Sequence, residues 1–244
     1  MSVVEGTVLV VGGSRGIGRA VVEALAAERT KVAFTWRGEE SAARALEESL
    51  GGEARAFQFD VRDRRRPEAL VEEIDRGLGP IDGLVYCAGM RRDGLLALTS
   101  DDDWDAVLDT NLGGLFRVCR AVLPGMLRRR RGAIVAVSSL SAVHGVAGQT
   151  LYASSKAGMV AMVRALAREC GKRNVRANAV APGYVETDFV ADLPERAVEA
   201  LRATECLRRG TSVGDVAQAV LFLLSERAAS ITGQMLMVDA GASV

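Results

Sequence analysis

Short apolar runs alternate with longer stretches that are apolar on one face only. Thr7-Val-Leu-Val-Val11 has no polar break, the pattern of a strand buried on both faces. From Ile17 to Glu28 apolar residues recur at helical spacing. The alternation continues with strands at Lys31 to Trp36, Ala54 to Phe59 and Gly83 to Tyr86, and helices at Ser41 to Leu50 and Pro67 to Leu78. Pro67 suits the first turn of a helix, where its missing N–H costs nothing. Asp102 to Leu127 reads as one long helix, bent or ended near Pro124. Strands follow at Ala133 to Ser138, Val175 to Ala181 and Gln234 to Val238, with helices at Tyr152 to Cys170 and Ser212 to Leu224. Alternation of this kind predicts an α/β fold: a single-domain, Rossmann-like, doubly wound parallel sheet of about seven strands with helices on both faces. No repeat or linker divides residues 1–244. The least regular stretch, 183–210, follows a strand end, where ligands of open α/β sheets bind. It is read as a substrate lid.

Composition narrows the class. Of 244 residues, 49% are hydrophobic and 25% charged, and the net charge is zero, so no overall field favours nucleic acid. No apolar run is long enough to span a bilayer, and the first residues lack the pattern of a signal peptide, so the expected location is the cytoplasm. Cys87, Cys119, Cys170 and Cys206 are widely spaced and His144 is the only histidine, so no metal site is expected and the thiols are read as reduced and mostly buried.

The first strand is followed by Gly12-Gly13-Ser14-Arg15-Gly16-Ile17-Gly18, which opens the first helix. A diphosphate needs close backbone approach and the free N–H groups of a helix start. Gly12, Ser14, Gly16, Ile17 and Gly18 therefore predict dinucleotide binding. The second strand ends Thr35-Trp36-Arg37 and has no acid to hold a ribose 2′-hydroxyl before Glu39. Arg15 and Arg37 instead suit a 2′-phosphate, which favours NADP over NAD. Tyr152 and Lys156 stand four apart on one helix, so an ammonium lies beside a phenol and is expected to lower its pKa. A phenol so placed can protonate a carbonyl oxygen as hydride arrives.

Together with Asp60-Val61, Cys87-Ala88-Gly89, Thr110-Asn111, Ser138-Ser139 and Pro182-Gly183, these motifs resemble the short-chain dehydrogenase/reductase family over essentially the whole chain. Within it, Arg92 to Leu96, Gly148-Gln149, Ala181 to Asp188 and Ile231-Thr-Gly233 are similar to bacterial 3-oxoacyl-(acyl carrier protein) reductases. The resemblance implies a catalytic set of Asn111, Ser139, Tyr152 and Lys156. Tyr152 is the acid, Lys156 lowers its pKa and holds the nicotinamide ribose, Ser139 orients the carbonyl, and Asn111 holds a relay water. It implies that Asp60 and Val61 flank the adenine and Ala88 and Gly89 the adenosine ribose. Val185 and Thr187, beside Pro182 and Gly183, fix the carboxamide and diphosphate. It further implies NADPH, a homotetramer built on the two long helices and the last strand, and reduction of a 3-oxoacyl thioester on acyl carrier protein. The alternatives are reduction of another ketone (polyketide, steroid, sugar or xenobiotic) and a non-catalytic nucleotide sensor. Two departures stand out: Val11 where the family usually has Thr, and Tyr86-Cys87 where it usually has Asn-Asn. Arg128 to Arg131 with Lys172 and Arg173, after helices flanking the active-site side of the sheet, are read as a carrier-docking patch in which Arg130 and Arg173 match the subgroup, weighed evenly against a solvated helix end. His144 is read as a loop residue without chemistry, and Trp36 and Trp104 as packing residues.

Overall fold

The structure, a computed structural model, describes residues 3–244. Seven strands form one parallel sheet: β1 (Thr7–Val11), β2 (Val32–Trp36), β3 (Ala54–Gln58), β4 (Ile81–Tyr86), β5 (Gly132–Val137), β6 (Val175–Pro182) and β7 (Met235–Val238). Their spatial order is β3-β2-β1-β4-β5-β6-β7. The chain starts mid-sheet, winds outward to β3, returns to pair β4 with β1, and winds out the other way. Between β1 and β4 the winding reverses, and the diverging crossovers leave a crevice at the strands' carboxyl ends.

Alternate strand residues point to opposite faces, so each central strand feeds two cores. Leu9 and Val11 of β1, with Ile134 and Ala136 of β5, join a cluster closed by helices α3 (Arg66–Gly77), α5 (Gly114–Arg129) and α6 (Thr150–Cys170). Val8, Val10, Ala133, Val135 and Val137 join another, closed by α1 (Gly16–Ala27), α2 (Glu40–Ser49) and α8 (Val213–Leu224). Burial on both faces explains why these strands read as continuous apolar runs rather than alternating ones.

Two expectations need correction. The long helix is interrupted well before Pro124: α4 (Asp101–Leu108) passes through a π-helical turn, Asp109–Gly113, into α5. Pro124 lies inside α5 without ending it, on the exposed side, where water can serve the Arg120 carbonyl that proline leaves without a donor. The stretch 183–210 is also less irregular than expected, carrying the helix α7 (Glu195–Ala203).

Candidate active site

A cleft of about 1200 Å³ runs along the carboxyl ends of the strands across the β1/β4 crevice. One wall is the glycine turn. Gly12 has φ +79°, and a Cβ there would stand 2.8 Å from the backbone of Ala88; a Cβ on Gly18 would stand 2.0 Å from the Gly12 carbonyl. Neither position admits a side chain. Helix α1 has no acidic residue in its first turn and no side-chain cap, so its leading N–H groups remain available to an anion. The turn is held by β2: the Gly12 N–H donates to the Thr35 hydroxyl at 3.0 Å and the Gly13 N–H to the Thr35 carbonyl at 2.9 Å. Thr35 thus supplies a hydroxyl beside the turn, where Val11 lacks one. Sequence reasoning passed over it because a β-branched residue in a strand carries no distinguishing signal.

At the adenine end, Arg15 and Arg37 both line the cleft. Arg15 reaches Glu39 at 3.5 Å with both side chains mostly exposed, a weak pairing that leaves the guanidinium free to turn toward an anion. Val61 lines the cleft, but Asp60 does not. Its carboxylate is paired with Arg62 at 2.9 Å, which holds its pKa below the usual carboxylate range. Arg62 is the charged group that reaches the cleft there, which the sequence reading did not single out. Ser14, Gly16, Ile17, Ala88, Gly89, Pro182, Gly183, Val185 and Thr187 all border the cleft. The steric cradle, the free helix end and the two arginines fit a dinucleotide bearing a 2′-phosphate.

The catalytic candidates converge deeper in. Ser139 follows the end of β5, where the chain turns into a short 3-10 helix, Leu140–Ala142. Its Oγ accepts from the Ser141 N–H at 3.1 Å, which fixes the hydroxyl at the cleft wall. Tyr152 and Lys156 sit one turn apart in α6, both buried, with Nζ 5.6 Å from the phenol ring centroid. Burial pushes the Tyr152 pKa up to about 12; the Ser139 hydroxyl and the positive charge of Arg91 pull the other way, and Asp93 adds to the rise. The expected depression by Lys156 is therefore not what this arrangement gives. Desolvation sets the sign, and the ammonium donates to the Val137 carbonyl at 2.8 Å. Burial lowers the pKa of Lys156 itself to about 8, opposed by Cys87. Ser138, the partner of Ser139 in sequence, donates to the Lys156 carbonyl at 3.0 Å and so braces α6 against β5.

Asn111 lies in the π-helical turn and is fully buried. Its Oδ1 accepts from the Met90 N–H at 2.8 Å; its Nδ2 donates to the Met90 carbonyl at 2.9 Å and to the Ser155 hydroxyl at 2.8 Å. The side chain clamps the loop after β4 to α6 and does not reach the cleft surface itself. A Cβ on Gly89 would lie 3.4 Å from Asn111 Oδ1 and 3.6 Å from Lys156 Nζ, so these two groups flank the same glycine. The turn is anchored by a residue marked only as a departure: the buried Tyr86 hydroxyl donates to the Thr110 carbonyl at 2.6 Å. Extra-residue turns inside helices recur at functional sites because they re-aim the backbone.

His144 is exposed at the cleft edge, Trp36 is buried and Trp104 is partly exposed. Cys119 and Cys170 are buried, Cys87 borders the cleft and Cys206 is exposed. The basic run is partly committed to structure. Arg129 and Arg131 both pair with the buried Asp82, at 3.1 Å and 2.6 Å, and Arg131 also pairs with Glu5. Arg130 donates to the Lys172 carbonyl at 3.1 Å, which joins the two basic segments. Both segments precede the amino ends of β5 and β6, whereas Ser139 and Gly183 follow the carboxyl ends. Within one chain, patch and cleft therefore lie at opposite ends of the sheet, not on one side as the sequence suggested. No helix among the described residues is long and apolar enough to cross a membrane.

Known proteins share this architecture. A profile of the family described as enoyl-(acyl carrier protein) reductase matches residues 11–243. A 3-oxoacyl-(acyl-carrier-protein) reductase of Thermotoga maritima is 40% identical over 97% of this chain and 98% of its own length. Proteins of that name are 38% identical in Escherichia coli, over 96% of this chain and 95% of theirs, and 42% identical in Bos taurus, over 95% of each. The crystal structure of gox2181 superposes with a TM-score of 0.92 at 34% identity, covering 98% of this chain and 95% of that one. The chain belongs to the short-chain dehydrogenase/reductase family.

Proposed function

We propose that this protein reduces 3-oxoacyl thioesters carried on acyl carrier protein to 3-hydroxyacyl thioesters, with NADPH as cofactor. The observation that carries the reading is that Ser139 and Tyr152 both border the dinucleotide cleft, with Lys156 Nζ 5.6 Å from the Tyr152 ring centroid. Two hydroxyls bordering one cleft suit one carbonyl oxygen: Ser139 donates to it and orients it, and Tyr152 Oη gives up a proton as the alcohol forms. The same arrangement favours a ketone over an alkene, since alkene reduction delivers its proton to carbon. This sets the relatives' names above the enoyl reductase description of the profile. Bound NADPH supplies the hydride.

The remaining roles follow from position. A phenol held neutral by burial is in the state an acid requires. The Lys156 ammonium, behind the ring, offsets the charge left on Tyr152 after transfer and is placed to meet the ribose hydroxyls. Asn111, through the Met90 clamp, fixes the floor next to Lys156, and a relay water there would meet its backbone rather than its engaged side-chain amide. Arg15 and Arg37 take the 2′-phosphate, and 183–210 closes over the substrate. We assign docking of the acidic carrier to Arg128, Arg130, Lys172 and Arg173. In a homotetramer that patch serves the cleft of a neighbouring copy, which accounts for its distance from its own. Phe116, Trp104, Ala157 and Ala161 leave apolar surface exposed on α4, α5 and α6 and suit such assembly, which light scattering of the purified protein measures directly.

The deciding experiment follows NADPH absorbance with acetoacetyl-acyl carrier protein beside a panel of simple ketones. Faster turnover of the carrier-bound substrate supports the reading. Turnover of simple ketones alone transfers the function to a small-ketone reductase, and no turnover of any leaves a nucleotide sensor.

A further inference from the structure

Arg91, in the loop after β4, has no part in the scheme above, yet its side chain is only 11% exposed. It pairs with Asp93 on its own loop and with Asp192 on the far side of the cleft. Its Nε donates to the Phe189 carbonyl at 3.0 Å, and its guanidinium lies 5.9 Å from the Phe189 ring centroid. Phe189 in turn stands 6.0 Å from the Tyr152 ring, centroid to centroid, tilted by 44°. One arginine thus holds a carboxylate, a carbonyl and a ring from residues 188–192, and through that ring the segment meets the catalytic tyrosine.

We propose that Arg91 is a positioning residue: a latch that seats Phe189 against Tyr152 and so builds the roof of the carbonyl subsite. Only arginine fits the task. Its planar fork serves two carboxylates and a carbonyl at once while its face meets an aromatic ring; a lysine is a point charge without that geometry. The burial is one-sided: Asp192 is 78% exposed, so the latch can part at the lid while Arg91 keeps Asp93. That is the behaviour of a clasp that opens for product and re-forms over substrate. The latch deepens the reductase reading for its kinetic effects, while its mechanical effect stands apart from any reaction.

The test uses Arg91→Met, which keeps an apolar stem, the milder Asp192→Ala on the exposed side, and the double variant. The first arm is limited trypsin digestion of the whole protein, read as the rate of cutting at the exposed lid arginines Arg196 and Arg202. Both single variants are expected to be cut about tenfold faster than the parent, and the double no faster than Arg91→Met, because the two changes undo one contact. The second arm is steady-state reduction of an acetoacetyl thioester. KM for the thioester is expected to rise about tenfold, with kcat and NADPH affinity within about twofold of the parent. A general loss of structure would instead lower kcat, cofactor affinity and thermal stability together. Parent-like digestion of both single variants, or additive effects in the double, overturns the latch. A fall in kcat at constant KM overturns the positioning role. If the parent reduces no thioester, the reductase reading fails and the digestion arm alone decides the latch.

Discussion

Tyr86 and Gly114 are fitted to each other, and the fit can be measured. A Cβ on Gly114 would stand 2.0 Å from the Tyr86 hydroxyl oxygen, 2.9 Å from Val61 Cβ and 3.1 Å from Tyr86 Cζ. Gly114→Ala therefore drives a methyl into the oxygen that holds the π-helical turn, and overpacking of this kind costs about 1–3 kcal/mol. Tyr86→Phe removes that oxygen and leaves the buried Thr110 carbonyl without its donor, also about 1–3 kcal/mol. The two costs do not add. Without the hydroxyl, the worst contact of the new methyl is gone, so the double variant should be at least ~1 kcal/mol more stable than the sum of the singles predicts. Urea unfolding of the four proteins gives the coupling. Amide exchange at 109–114 should be faster in each single variant than in the parent, and kcat should fall with it, because Asn111 rides on this turn. A Gly114→Ala change that is neutral, or equally costly with and without the hydroxyl, refutes the reasoning.

Three further outcomes follow. Lys156 has its folded pKa lowered to about 8, so its charge is present below that pH and lost above it. The kcat/KM for reduction should be level at neutral pH and fall about tenfold per unit above about 8, and Lys156→Arg should remove that limb from the profile. Arg37→Asp should weaken NADPH binding by roughly tenfold or more by calorimetry while NADH binding improves or holds; a parent that prefers NADH contradicts the 2′-phosphate assignment of Arg15 and Arg37. Arg130→Glu with Arg173→Glu should raise KM for a carrier-bound substrate, barely change KM for a small ketone, and lose its effect in high salt; equal KM values remove the docking patch.

Strands were the most legible part of the chain because burial on both faces leaves unbroken apolar runs such as Thr7–Val11. The glycine turn was legible because only sterics of that kind demand glycine at Gly12 and Gly18. The π-helical turn was not, since an extra residue within a helix leaves the surrounding apolar spacing nearly intact, and Pro124 offered a louder but false signal. Tyr86 was noticed as a departure, but the carbonyl it serves lies on another element and comes near only through the pairing of β4 with the sheet. Arg91 was hidden for the same reason: Asp192 and Phe189 are about a hundred residues away in sequence. The direction of the Tyr152 shift was misjudged because helical spacing places Lys156 nearby but does not report burial, and burial decides the sign.

The central claim is that Tyr152, on the same cleft as Ser139, delivers the proton that completes reduction of a carbonyl held beside bound NADPH. Tyr152→Phe keeps the ring against Phe189 and removes only the hydroxyl. Measured as NADPH consumption with acetoacetyl-acyl carrier protein, its kcat should fall about 10²-fold or more while NADPH affinity, from fluorescence titration, stays within about twofold. Turnover near that of the parent would contradict the account.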